Sequence, residues 1–360
     1  MSQNTTLPPL ELGLPVMLHK EQEEILPFLK AKDRIEALGE SQGIPIKVSA
    51  FLYYFPKALS EGNRSLQIKN QRTYKLPIIH AQTPNYGENC LAYDSDEKRF
   101  EKEGLLETTI THCAVLRDIS GQVESFDIDT HPGTVIDNHP LNLTIPCVYP
   151  LEEFLEKREV LLQKSTERFA QLSELAGRYG LGMALENSIS VFFAQQFNDL
   201  FPRIHFMPFV DFPSIMQISG GNLTFDSAHW GSTRLVQEVL EREQLTQERE
   251  NLFKVYGISS WEEYLALHPD FPDYLEHARA LHLSNVDGIG VRLDKNSELA
   301  RKWGKSGDNE GYISRSDFRR MFSCAREKGL PVIIEVEYDV SRLHETEYSD
   351  ADAFLKPILS

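Results

Sequence analysis

The chain has little cysteine, no glycine-rich phosphate loop, no long apolar run and no block of positive charge, and each shortage removes a class of explanation. The cysteines, Cys90, Cys113, Cys147 and Cys324, lie far apart with no Cys-x-x-Cys spacing. That argues against a four-cysteine structural zinc and for reduced thiols. No apolar stretch reaches the ~18 residues that a membrane span needs. Residues 1–10 are polar and proline-containing, without a basic stretch leading into an apolar core. No secretory signal is visible there, so the cytoplasm is the expected location, and the sequons at Asn4, Asn63, Asn142 and Asn222 read as chance matches. The formal net charge is −17, with Lys and Arg scattered. Such a surface repels a phosphate backbone and disfavours nucleic acid as a partner, although a bound metal can supply positive charge locally.

What is present is ordinary globular material: 41% hydrophobic and 25% charged residues over 360 positions. That length suits two domains or one large α/β barrel. Strand-like apolar runs alternate with charged amphipathic helices, the pattern of a parallel sheet. The candidate strands are Val48–Phe55, Leu76–His80, Ser125–Thr130, Gly182–Glu186, His205–Phe209, Asn222–Phe225, Leu281–Ser284 and Pro331–Glu337. Helices are expected over Glu152–Tyr179, Leu235–Tyr256, Trp261–His268 (after the Ser259–Ser260 cap signal) and Arg315–Lys328, the last closed by Gly329. A doubly wound open sheet would call for a Gly-rich loop after its first strand. Gly220–Gly221 precedes a strand instead, and Gly288/Gly290 lacks a third glycine. The expectation is therefore a single-domain (β/α)8 TIM barrel over residues 46–345. An N-terminal segment of open role (1–45) and a C-terminal segment (346–360) flank it.

The chemistry is carried by where polar residues fall on the strands. Ala184-Leu185-Glu186-Asn187 ends an apolar run in a carboxylate. Leu223-Thr224-Phe225-Asp226-Ser227-Ala228-His229 does the same and adds a histidine three residues on. Leu281-His282-Leu283 puts an imidazole inside a strand, and Ile333-Ile334-Glu335-Val336-Glu337 ends the last strand in two carboxylates. In a parallel barrel these ends converge on one rim. Carboxylates brought together repel, a divalent cation removes the repulsion, and an imidazole among them suits Mn, Co, Zn or Fe. Each residue also has a plain explanation taken singly. Glu186 or Glu335 reads as an exposed loop carboxylate, Asp226 as the cap of a helix starting near Thr233, and His282 as a core histidine satisfied by a backbone carbonyl.

The stretch from about 150 to 340 resembles the xylose isomerase-like barrel superfamily of sugar isomerases and epimerases, to which the zinc-dependent abasic-site endonucleases are related. The matching pieces are Leu185-Glu186-Asn187, Phe225-Asp226-Ser227-Ala228-His229, Leu281-His282-Leu283-Ser284 and Ile333-Ile334-Glu335. The resemblance implies Glu186, Asp226, His282 and Glu335 as ligands of one divalent metal, with Glu186 and Glu335 moving a proton on and off carbon through a metal-stabilised enediolate. Glu337 shares the strand side of Glu335 by period-two alternation; Glu335 is preferred because it aligns with the family's strand-end position. Ile78-Ile79-His80-Ala81, followed by Pro84-Asn85-Tyr86, and His131-Pro132-Gly133 are similar to pieces that bind a second metal in the endonuclease branch. His80, His131 and His229 are thus candidates for a second metal or for substrate; loop histidines beside prolines are the plain alternative for the first two. Arg292 and Glu337 are candidate substrate contacts, with a solvated arginine as the plain reading of Arg292.

The third-metal Asp-x-His pair of that branch has no counterpart in Gly304–Gly311, where only Asp308 and Glu310 stand. Asn285 also replaces the Asp that many relatives carry after His-Leu-Ser. The expectation is a metal-dependent isomerase or epimerase of a small sugar-like hydroxy-carbonyl substrate. A metal-dependent hydrolase such as an abasic-site phosphodiesterase, and a non-catalytic metabolite-binding barrel, remain the alternatives.

Overall fold

The computed structural model describes residues 9–16, 18–19, 22–54, 56–83, 91, 104–136, 148–194, 203–286 and 311–335, and 351, 355–356 and 358–359 near the C-terminus. The strands are β1 (Leu10–Val16), β2 (Ile46–Tyr53), β3 (Ile78–Gln82), β4 (Asp127–Thr130), β5 (Val135–Ile136), β6 (Val148–Tyr149), β7 (Gly182–Glu186), β8 (Val191–Ala194), β9 (Arg203–Phe206), β10 (Leu223–Asp226), β11 (Ala278–Leu283) and β12 (Val332–Ile334). The helices are α1 (Gln22–Ser41), α2 (Glu61–Tyr74), α3 (Leu105–Ser120), α4 (Leu151–Arg178), α5 (Phe212–Ser219), α6 (Ser227–Arg242), α7 (Thr246–Tyr256), α8 (Trp261–Leu267), α9 (Phe271–His277) and α10 (Arg315–Lys328). Eight strands close a barrel in the order β1-β12-β11-β10-β7-β4-β3-β2, every pair parallel. With helices between its strands, this is a (β/α)8 TIM barrel. Among the described residues, no helix is long and apolar enough to cross a membrane.

Two expectations about the strands need correction. The segment 1–45 contains a barrel strand, β1, and the helix that follows it. β1 contains Gly13 and Pro15, two residue types that weaken a strand interior, and both are accommodated. A side-chain carbon on residue 13 would lie 2.4 Å from Ile333 Cδ1 and 3.1 Å from Ile79 Cγ2, so only glycine lets β1 pass this part of the barrel interior. Pro15 lies beyond Leu12 and Gly13, the β1 residues that pair with β12, where its missing N–H is tolerated. The second correction concerns His205–Phe209. The strand there is β9, and it runs antiparallel to β5 and β8 in a separate four-stranded sheet, β6-β5-β9-β8. That sheet is built from the connections after β4 and β7. Alternation marks a strand without saying which sheet it joins.

The helices also depart in detail. The expected Leu235–Tyr256 helix is two, α6 and α7, separated by a turn in which Gln244 has φ 56°. α4 and α10 match the expected spans to within a residue. α10 is capped by Ser314, which accepts from the Asp317 N–H, and closed by Gly329 at φ 65°. Residues Ala351, Leu355, Ile358 and Leu359 are buried in the same core as the barrel helices. The 345/346 boundary itself lies outside the described residues.

The side-chain phase of two strands decides where the histidines point. On β2, Ala50 pairs with Ile78, but the next residue, Phe51, pairs with His80, so β3 carries one extra residue at Ile79. Ile79 joins the interior cluster with Phe51 and Ile333, whereas Ile78 and Ala81 belong to the outer core facing the helices. The slip turns His80 and Gln82 inward as well. β11 has the same device: Leu223 pairs with Ala278 and Thr224 with Ala280, leaving Arg279 as the extra residue. Beyond it, Leu281 and Leu283 face the helices and His282 faces inward.

Candidate active site

Glu186 is the hub of a polar cluster at the C-terminal ends of the strands, buried except for Glu335, whose side chain is 11% exposed. Its Oε2 accepts from Gln82 Nε2 at 2.5 Å and lies 3.3 Å from His131 Nε2. Its Oε1 lies 3.2 Å from His229 Nδ1 and 3.7 Å from His282 Nδ1. On the other side, His282 Nδ1 is 3.2 Å from Glu335 Oε1. Asp226 closes β10 and caps α6, accepting from the His229 N–H at 2.7 Å. It does cap a helix, as its plain reading held, but that helix begins at Ser227 rather than near Thr233.

Asn187 welds two of these strand ends together. Its Nδ2 donates to the Asp226 carbonyl at 3.0 Å and its Oδ1 accepts from the Asp226 N–H at 2.6 Å. Its own carbonyl accepts from His229 Nδ1 at 2.7 Å, which fixes the ring. The plain readings of Glu186 and His282 fail on this geometry. Glu186 has no exposed surface, and neither ring nitrogen of His282 has a hydrogen-bond partner.

The structure therefore brings Glu186, Asp226, His282, Glu335, His80, His131 and His229 into one region. Arg292 and Glu337 lie outside the described residues, as do the Pro84-Asn85-Tyr86 loop and residues 304–310. Gln82 and Asp129 belong to the cluster without being marked by the strand-end pattern. Asp129 on β4 is fully buried, 3.0 Å from His80 Nε2 and 3.4 Å from His282 Nε2 through its Oδ2. The signal was available, since Asp127-Ile128-Asp129-Thr130-His131 places Asp127, Asp129 and His131 on one side of an extended chain.

Burial of so many ionisable groups perturbs them in opposite directions. Burial, with the Glu186 carboxylate beside it, pushes Asp129 well above the usual carboxylate range. Burial also raises Asp226, to about 7. For Glu186, burial is outweighed by the His131 and His282 imidazoles, which hold it well below the usual range. His229 is raised to about 9, burial being overcome by Asp226 and Glu186. His282 is raised by Glu335 and Glu186 against burial. His80 is lowered by burial, with His282 contributing. Protons thus offset part of the buried negative charge that a cation would otherwise neutralise.

The donor atoms fit a divalent ion. Glu186, Asp226 and His282 each offer a ligand atom within 4.8 Å of the others. Glu186 Oε1, His282 Nδ1 and Glu335 Oε1 are buried without hydrogen-bond partners, a costly arrangement unless something else satisfies them. Two further trios, His80–Asp129–His282 and His131–Glu186–His229, meet the same distance condition.

No protein-family model matches the chain, and no curated protein matches it in sequence. Solved structures align with it at low identity. A D-tagatose 3-epimerase-like protein aligns over 97% of this chain and 96% of its own, with 14% identity and a TM-score of 0.50. D-allulose 3-epimerase from Methylomonas sp. covers 98% and 97% at 10% identity with a TM-score of 0.46. An L-ribulose 3-epimerase covers 97% and 94% at 11% identity with a TM-score of 0.42. The first shares the (β/α)8 barrel fold, and the other two carry no argument beyond it.

Proposed function

We propose that the protein is a metal-dependent isomerase or epimerase of a sugar, polyol or related hydroxy-carbonyl metabolite. The observation that carries this reading is the set of unpartnered donor atoms on Glu186, His282 and Glu335, facing one another at the barrel rim beside Asp226. These four residues would hold one ion of Mn, Co, Zn or Fe. When bound, the ion supplies the positive charge that polarises a carbonyl and its neighbouring hydroxyl. Glu186 and Glu335, on either side of His282, are the pair to take a proton from carbon and return it. The His131 and His282 imidazoles hold Glu186 ionised against its burial, and Gln82 donates to its Oε2. His229, its ring fixed through Asn187, is placed to bind a substrate oxygen. Beneath them Phe51, Ile79 and Ile333 close the barrel to water, which strengthens every charge interaction above.

A second reading, metal-dependent hydrolysis, draws on the two additional trios, because paired metals suit an attacking water. The net charge of −17 weighs against a nucleic-acid substrate.

The test is metal content of protein purified without chelator or affinity metal, wild type beside Glu186→Ala. It is followed by deuterium uptake from solvent into a panel of ketoses. About one equivalent, lost in the variant, with label entering a ketose, is the expected result. Two or more equivalents with phosphodiester cleavage would transfer the assignment to hydrolysis. A wild-type protein that binds no ion even after adding one back would overturn both, and leave a metabolite-binding barrel.

A further inference from the structure

Asp129 stands apart from the residues assigned to the cation, yet it touches two histidines of the site with a single oxygen. Oδ2 lies 3.0 Å from His80 Nε2 and 3.4 Å from His282 Nε2, and all three side chains are fully buried. The contact is not one between neighbouring strands. β4 and β11 are separated in the barrel by β7 and β10, so Asp129 reaches His282 through the barrel interior. His282 in turn presents its two nitrogens to different partners. Nε2 faces Asp129 Oδ2 at ion-pair distance without a hydrogen bond, while Nδ1 faces Glu335 Oε1 at 3.2 Å and Glu186 Oε1 at 3.7 Å.

A neutral imidazole carries one proton, and the nitrogen that serves a cation must be the bare one. A carboxylate at the far nitrogen decides which that is, orients the ring and makes it a better donor. The rings around it hold the same geometry: Phe51 meets His282 edge-on at 5.4 Å and stacks on His80 at 5.8 Å.

We propose that Asp129 is a positioning residue that holds the N–H of His282 at Nε2, so that Nδ1 is offered to the cation, with His80 bracing the same carboxylate. This rests on the reading that Glu186, Asp226, His282 and Glu335 hold a divalent ion. The His80–Asp129–His282 trio acting as a metal site in its own right is the less economical arrangement, because it would occupy both nitrogens of one imidazole with cations.

The experiment is Co(II) titration of metal-free wild type, Asp129→Ala and Asp129→Asn, following both binding heat and the visible absorption of the bound ion. Urea unfolding of each metal-free protein is measured alongside. D129A should remain folded, bind Co(II) ~10–100-fold more weakly, keep the wild-type stoichiometry and show an altered Co(II) spectrum. D129N retains an acceptor oxygen and should lose less affinity. A folded D129A with wild-type affinity and spectrum overturns the proposal. So does a wild type that binds two equivalents, one of which D129A loses, because Asp129 would then be a ligand. If D129A does not fold, D129N carries the test, and an unchanged affinity and spectrum there is the refuting result. A wild type that takes up no Co(II) defeats the underlying cation reading, an outcome distinct from the rest.

Discussion

Replacing Asn187 with alanine removes a side chain that ties the ends of β7 and β10 to each other. The amide makes two hydrogen bonds to the Asp226 main chain, at 2.6 and 3.0 Å, and only 3% of the residue is exposed. Water cannot replace it without a rearrangement. Each bond contributes ~1 kcal/mol net, and leaving a buried donor or acceptor unmade costs ~1–3 kcal/mol. Asp226 would keep one of each, so N187A should lose roughly 2–5 kcal/mol. The assay is equilibrium urea unfolding of the metal-free protein by far-UV circular dichroism, with the slope checked for constancy. Asn187→Asp sharpens the case. It keeps an acceptor for the Asp226 N–H, but sets a carboxylate oxygen against the Asp226 carbonyl and adds negative charge beside Glu186. N187D should therefore be at least as unstable as N187A. An N187A protein within ~0.5 kcal/mol of wild type, the usual range for an uninvolved surface change, would refute the reasoning.

The remaining predictions concern the scaffold. Gly13→Ala should destabilise by ~1–3 kcal/mol through overpacking, and Ile333→Val, which deletes the Cδ1 atom in the way, should recover part of that loss in a double-mutant cycle by urea unfolding. Equal losses in G13A and G13A/I333V would show that the collision is not with Ile333. His112 and His268 are buried as neutral rings, pushed down to about 4 and about 3, chiefly by burial. Above the unfolded value of ~6.5 neither state takes a proton there. Below it only the unfolded chain does, so stability should fall by ~1.4 kcal/mol per pH unit per histidine until the folded value is reached. Replacing His112 with Gln, beside its Gln67 partner, should flatten the stability profile between pH 6.5 and 4, and an unaltered slope would sink the assignment.

Much of the site could be read from the chain because an apolar run that stops on a carboxylate is rare away from a strand end. Glu186 and Asp226 announce themselves in this way, and both lie where that pattern put them. His282 is legible for the same reason in reverse, as a polar residue inside an apolar strand. Asp129 escaped because β4 and the residue after it are polar at alternate positions, Asp127, Asp129 and His131, so no apolar run frames it. Gly182 opposite makes room for Asp127, whose Oδ1 would otherwise lie 1.7 Å from a side-chain carbon at that position. β1 escaped because its two unusual residues are explained only by tertiary neighbours. Ile333 and Ile79 demand Gly13, and the short β1–β12 ladder tolerates Pro15. Neither fact is local. Sheet membership is equally non-local, which is why β9 passes for a barrel strand.

The single-residue slips at Ile79 and Arg279 make the position of His80 and His282 a question of parity rather than of composition. Deleting either extra residue would leave both imidazoles facing inward, because Phe51 would still meet His80 and Thr224 would still meet Ala280. Closing the slip with the extra residue kept is what would exchange inside for outside along the rest of the strand, sending an imidazole into the helix layer and a leucine or alanine into the rim. Removal of Ile79 or Arg279 should therefore spare ion binding, whereas one residue added between the slip and the histidine should weaken it.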